Sequence, residues 1–126
     1  MKNMSNWFLR IAVLYLILGV ALGLFMAAGH DHSMFPVHAH LNLLGWVSMT
    51  LFGLFYRSFP QAAQSRFAKA HFLIYIPFHC AQMVFLTLLF RGYTLVEPVL
   101  GVVSSFVGIA ILCFALVVWK STWQAD

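Results

Sequence analysis

The sequence predicts an all-α integral membrane protein: one unit of four transmembrane helices running up-down-up-down. Three observations carry this expectation. Apolar residues make up 63% of the 126 residues and charged residues 8%, whereas soluble domains run at about 45–50% and about 25%. Mean hydropathy is +0.91. Four apolar stretches, at about 7–29, 37–56, 71–90 and 98–119, each approach the ~20 residues that carry an α-helix across ~30 Å of hydrocarbon. The pI of 9.4 does not point to nucleic acid. The seven basic residues are scattered at the ends of the apolar stretches and form no basic patch, so they read as topology determinants in a lipid bilayer.

The first stretch is preceded by Lys2 and contains Arg10, in the manner of a signal peptide. Its apolar run is too long for one, and Ala27-Ala28-Gly29 is a weak cleavage match, so it is expected to stay as a span. It carries Gly19-x-x-x-Gly23, and the fourth stretch carries Gly101-x-x-x-Ser105 and Ser104-x-x-x-Gly108. Such pairs let helix backbones approach closely, inside a monomer or between copies. The longest connection, from Arg57 to Ala70, opens with Ser58-Phe59-Pro60. The short connections make sequential helices antiparallel neighbours. Cys80 and Cys113 fall inside the third and fourth stretches without a CxxC or CxxCH pattern. They are expected to be small buried residues, and covalent haem attachment is not expected.

Charge sets the orientation. Lys2, Arg10, Arg57, Arg66, Lys69 and Lys120 fall on one side and Arg91 alone on the other. The positive-inside rule then places both termini in the cytoplasm, in a bacterial inner membrane, and the first connection outside. Trp7, Tyr56, Trp119 and Trp123 would form an aromatic belt at the cytoplasmic edge.

The chemistry rests on histidine. The chain holds six, against three acidic residues. His30, His32, His38 and His40 gather where the first stretch ends and the second begins. Ionisable side chains in or beside hydrocarbon are costly and mark function by default, and neutral imidazole is the commonest metal ligand. On a helix, residues two apart point about 200° away from each other and differ in height by ~3 Å. His38 and His40 therefore suit two different neighbours at one level rather than one ion. A plainer alternative is one interfacial histidine and one that bonds Asn42 or a backbone carbonyl. His71 is expected at the cytoplasmic edge, within reach of headgroups. His79 lies mid-helix, two residues after Pro77, and Gln82 is on its face to bond it. It could be a ligand, a proton carrier or a structural donor between helices. The i, i+4 pairs His71–Tyr75 and Tyr75–His79 are common by chance and carry little weight.

His38-Ala39-His40-Leu41-Asn42-Leu43-Leu44-Gly45-Trp46, followed by Phe52-Gly53-Leu54-Phe55-Tyr56-Arg57, resembles a haem-binding helix of subunit I in the haem–copper oxidase and nitric oxide reductase superfamily. Ala70-His71-Phe72-Leu73 with Pro77-Phe78-His79 is similar to a later helix of the same subunits. The resemblance covers the second and third stretches, roughly a third of the chain, and the whole resembles small four-helix oxidase subunit I-like proteins. Family subunit I has three arcs of four helices, so the resemblance implies one arc per chain and a homotrimer, with a dimer as the alternative. It also implies non-covalent b-type haem held by His38 and His40 from adjacent protomers near the periplasmic side, with His79 as a further cofactor-binding residue and His71 a secondary candidate. The function implied is electron transfer, gas sensing or modest oxidoreductase chemistry, with a redox partner the residues do not specify. The chain departs from the pattern in lacking an adjacent His-His pair, a His-Pro-Glu-Val-Tyr segment and any carboxylate inside a span. Proton-pumping oxygen reduction is therefore not expected. Two other functions stay open: a copper or zinc protein using His30, His32, Met34 and His38 at the outer face, since imidazole and thioether suit copper, and an accessory or assembly subunit without its own cofactor.

The charge asymmetry generates a direct test. With Cys80 and Cys113 replaced, a cysteine at Ser33 should react with an impermeant maleimide in intact cells. Labelling only after permeabilisation would reverse the orientation.

Overall fold

The computed structural model describes residues 3–123, and Lys2 lies outside them. Among the described residues all regular structure is helical, in four rods. Helix α1 is Met4–Gly29. Rod α2 is built from three segments end to end: α-helical Phe35–His40, π-helical Leu41–Val47 and α-helical Ser48–Ser58. Helix α3 is Arg66–Phe90 and helix α4 is Glu97–Trp123. Short 3₁₀ turns, Ala62–Gln64 and Thr94–Val96, sit in the second and third connections.

Local chemistry sets the ends. His30 closes α1 in the left-handed region (φ 51) and donates its N–H to the Ala27 carbonyl. Pro36 stands in the first turn of α2, where its missing N–H costs nothing. Ser65 is extended, and its hydroxyl accepts the Ala68 N–H at 3.1 Å, the N-cap geometry that starts a helix. That cap begins α3 five residues before the expected start at His71, which moves His71 inside the bundle.

Among the described residues three helices are long and apolar enough to cross a membrane: Met4–Gly29, Arg66–Phe90 and Thr94–Trp123. The expected second span is not in this set, because the π-helical segment divides its rod and the longest α-helical piece has 11 residues.

Neighbouring rods are antiparallel. Ser5 donates to the Gly53 carbonyl at one end of the α1–α2 pair, and His38 Nδ1 lies 2.9 Å from the Gly19 carbonyl near the other. Between α3 and α4, Gln82 donates to Ser104, Phe78 stacks on Phe106 and Lys120 lies over the Phe67 ring. Tyr56 meets His71, and Phe52 meets Tyr75, where α2 faces α3. The centre is aromatic: Phe8 from α1, Phe52 from α2 and Phe114 from α4 all surround His71 of α3.

The small residues of α1 and α2 are used within the chain. A Cβ on Gly19 would lie 2.7 Å from the Asn42 side chain, and one on Gly23 would lie 2.9 Å from His38 Cε1. One on Gly45 would strike the Tyr15 ring. Gly101 and Gly108 of α4 meet nothing within 4 Å. The outer faces of the rods are apolar and exposed, as at Ile17, Leu24, Leu73 and Leu112, the surface that lipid would cover.

Two expectations are corrected. Cys80 is exposed and Cys113 half-buried; a thiol is apolar enough to face hydrocarbon. Tyr56 is buried rather than part of an aromatic belt, whereas Trp7, Trp119 and Trp123 are exposed.

Overpacking a close helix contact typically costs about 1–3 kcal/mol. Gly45→Ala should therefore lower the melting temperature in detergent measurably, while Gly101→Ala, which fills open space, should leave it unchanged. Equal melting temperatures for the two variants would disprove the close contact at Gly45.

Candidate functional site

The site builds on the first half of α2. π-helical turns are rare and frequent at functional sites, and this one lies directly after His38 and His40. Where the ladder changes register, backbone carbonyls need other donors. Ser48 Oγ donates to the Leu43 carbonyl at 2.7 Å, and Tyr75 Oη crosses from α3 to the Leu44 carbonyl at 2.9 Å.

His38 faces α1. Its Nδ1–H donates to the Gly19 carbonyl at 2.9 Å, and its ring occupies the space that Gly23 leaves open. Asn42 donates to the His38 carbonyl at 2.8 Å from one turn on. His40 lies on the other side of the rod, and its Nδ1–H donates to the Pro36 carbonyl at 2.8 Å. The carbonyl partners assign the protons to Nδ1, so both Nε2 atoms carry lone pairs. Both histidines are half-buried, and neither Nε2 is among the enclosed atoms without a partner.

The two neighbours that the opposed facing of His38 and His40 calls for are present within the chain, because α2 lies between α1 and α3. The segment that carries His40 packs on α3, the helix of His79.

His79 is fully buried. Its ring is parallel to Tyr75 at 5.5 Å (3°) and tilted against Tyr15 at 4.9 Å. Neither ring nitrogen has a hydrogen-bond partner. The expected bond from Gln82 is absent, because that amide reaches across to the Ser104 hydroxyl at 2.9 Å. Buried polar atoms are nearly always paired, so two unpaired nitrogens on one ring are the least explained feature of the interior.

His71 is a correction. It does not meet headgroups at the edge but is fully buried, with Nδ1 2.9 Å from Tyr56 Oη and rings of Phe8, Phe52 and Phe114 around it. The hydroxyl donates to Nδ1 and leaves the Nε2–H among aromatic rings. This is a structural pairing.

The first connection does not assemble the copper set. His30 and His32 are exposed, His30 as the helix cap, while Met34 is turned into the core at 7% exposure. Asp31 accepts the Ser33 N–H at 2.9 Å, which holds its carboxyl below the usual carboxylate range. Among the described residues no three His, Cys, Asp or Glu side chains come together as a metal site. Tyr15 was missed from sequence. Its signal was the spacing Phe8, Ala12, Tyr15, Gly19, the buried face of α1.

Compared with known proteins, the chain matches no family model, no curated protein and no solved structure.

The Tyr56–His71 pair generates a test. Tyr56→Phe leaves a buried nitrogen without its donor, which costs about 1–3 kcal/mol, whereas replacing both partners by apolar groups of similar shape can be nearly neutral. Thermal unfolding in detergent should show Tyr56→Phe well below wild type and Tyr56→Phe/His71→Phe recovering most of the loss. A double variant worse than the single would remove the assigned pairing.

Proposed function

We propose that the chain is a four-span bacterial inner-membrane protein that binds non-covalent b-type haem through His38 and His40, in the manner of oxidase subunit I, with both termini cytoplasmic. The observation that carries the reading is the tie from each Nδ1 to a backbone carbonyl. Iron-ligating histidines are held in this way: the second nitrogen is fixed by a hydrogen bond, and the lone pair on the first is aimed and made more basic. The donor set fits haem, which needs one or two axial imidazoles rather than a cage of three or four ligands. His38 and His40 would hold the iron through their Nε2 atoms. Haem held there would supply one-electron chemistry.

The chain's own part is to orient and insulate. Gly23 makes room for the His38 ring, Asn42 braces its backbone, and the π-helical turn sets the faces that the rod presents on either side of the register change. Because His38 and His40 leave α2 towards different neighbours, one chain does not direct both at one iron. A homo-oligomer, with a trimer favoured over a dimer, would bring the second axial ligand from the next protomer. The roles that follow are electron transfer, gas sensing or modest redox chemistry.

The unpaired nitrogens of His79, on the helix against which the His40 segment packs, favour a second reading, in which copper or zinc is held by His40 and His79 within one chain.

An absorption spectrum of the purified protein separates the two. The haem reading expects a Soret band with sharp α and β bands on reduction, lost or converted in His38→Ala and His40→Ala and unchanged in His30→Ala and His32→Ala. A colourless protein that carries copper or zinc by elemental analysis, lost in His79→Ala, would replace it with the second reading.

A further inference from the structure

A groove of about 920 Å³ lies at the opposite end of the bundle from His38 and His40, where α3 begins and α4 ends. Arg66 and Lys120 line it from two different helices, together with the hydroxyl residues Ser58, Ser65 and Ser121 and the aromatic ring of Phe67. Among the described residues no acidic side chain lines it. Glu97 and Asp31, the carboxylate residues among the described residues, belong to the far end of the bundle. The cations therefore face the groove without counter-charge among the described residues.

Three sources of positive potential converge there. Arg66 is the first residue of α3, and the unpaired N–H groups of a helix's first turn favour an anion. Lys120 reaches across from α4, its Nζ 4.8 Å from the centre of the Phe67 ring, so its charge is held at the mouth of α3. Ser65 Oγ is occupied as acceptor of the Ala68 N–H, which leaves its O–H free to donate. The groove is thus a set of donors and cations beside an apolar wall. It sits at the ends of two helices long and apolar enough to cross a membrane, the level at which lipid phosphates lie.

We propose that this groove binds the phosphodiester headgroup of an anionic phospholipid, with Arg66 and Lys120 on the phosphate, the serine hydroxyls around it and the glycerol against Phe67. A zwitterionic lipid brings its own cation towards Arg66 and Lys120 and binds more weakly. The site is independent of the haem reading and stands if that reading fails.

The test is native mass spectrometry of the full chain in detergent, titrated with phosphatidylglycerol, phosphatidylcholine or sodium phosphate. Phosphatidylglycerol should be retained in preference to phosphatidylcholine. Arg66→Gln and Lys120→Gln should each weaken that retention about fivefold, the effect of one basic residue at a membrane surface. Arg57→Gln, which removes a charge near the same end but outside the groove, should leave it unchanged. Should Arg66→Gln fail to fold, the exposed Lys120 near the end of α4 carries the comparison alone. Equal retention of the two lipids, or an equal loss in Arg57→Gln, would reduce the groove to general surface charge. Displacement of the lipid by millimolar phosphate would assign the groove to the free anion and overturn the lipid proposal.

Discussion

The close approach of α1 to α2 is the constraint on which the rest of the structure depends. Along this seam Gly19, Gly23 and Gly45 remove the Cβ atoms that would hold the rods apart. The space is filled by groups from the facing rod: Asn42 against Gly19, His38 against Gly23, Tyr15 against Gly45. In hydrocarbon, association cannot rely on the hydrophobic effect and rests on packing and polar contacts between helices. The His38–Gly19 bond adds direction to this packing. It fixes the height of one rod against the other, and with it the level of both candidate ligands.

The seam also explains the polar interior. Tyr15 is turned inward against Gly45 and reaches His79, while Phe8, two turns earlier, packs on His71. The two buried histidines of α3 thus each meet an aromatic ring from α1. They differ in satisfaction. His71 has the Tyr56 hydroxyl on one nitrogen and no partner on the other, and His79 has no partner on either. The first is explained by packing and the second is not, which is why a chemical role is sought at the His40–His79 end.

Much of this fold was legible because bilayer chemistry is coarse. Composition and apolar length indicate helices of membrane length without reference to packing, and three of the four rods meet that standard. The winding of the second rod was not legible, because its π-helical turn accompanies contacts that no local pattern announces: Tyr75 on the Leu44 carbonyl and Ser48 on Leu43. His71 was misplaced because the Ser65 cap, a single hydroxyl in a long connection, starts α3 earlier than the apolar run does. Of the candidate site, the opposed facing of His38 and His40 followed from helical geometry alone. The Gly19 carbonyl that His38 meets did not, because Gly19 is on another helix, whereas the Pro36 carbonyl that His40 meets lies one turn back on its own helix. The bond from Gln82 was expected on spacing, and the competing hydroxyl of Ser104 was invisible until α4 was in place.

The π-helical turn bears on how this chain tolerates change in length. Such a turn holds more residues than an α-helix needs to climb the same height. Elsewhere in a packed helix, losing one residue rotates everything beyond it by about 100°. Between Leu41 and Val47 a one-residue deletion could be absorbed by reversion to α-helical winding, with the lower half of the rod, from Ser48 to Ser58, kept in its packing. The slack sits beside the two imidazoles and away from the aromatic centre. Related chains that differ in length by one residue would therefore be expected to differ here, with the histidines turned to a new direction on an otherwise unchanged bundle.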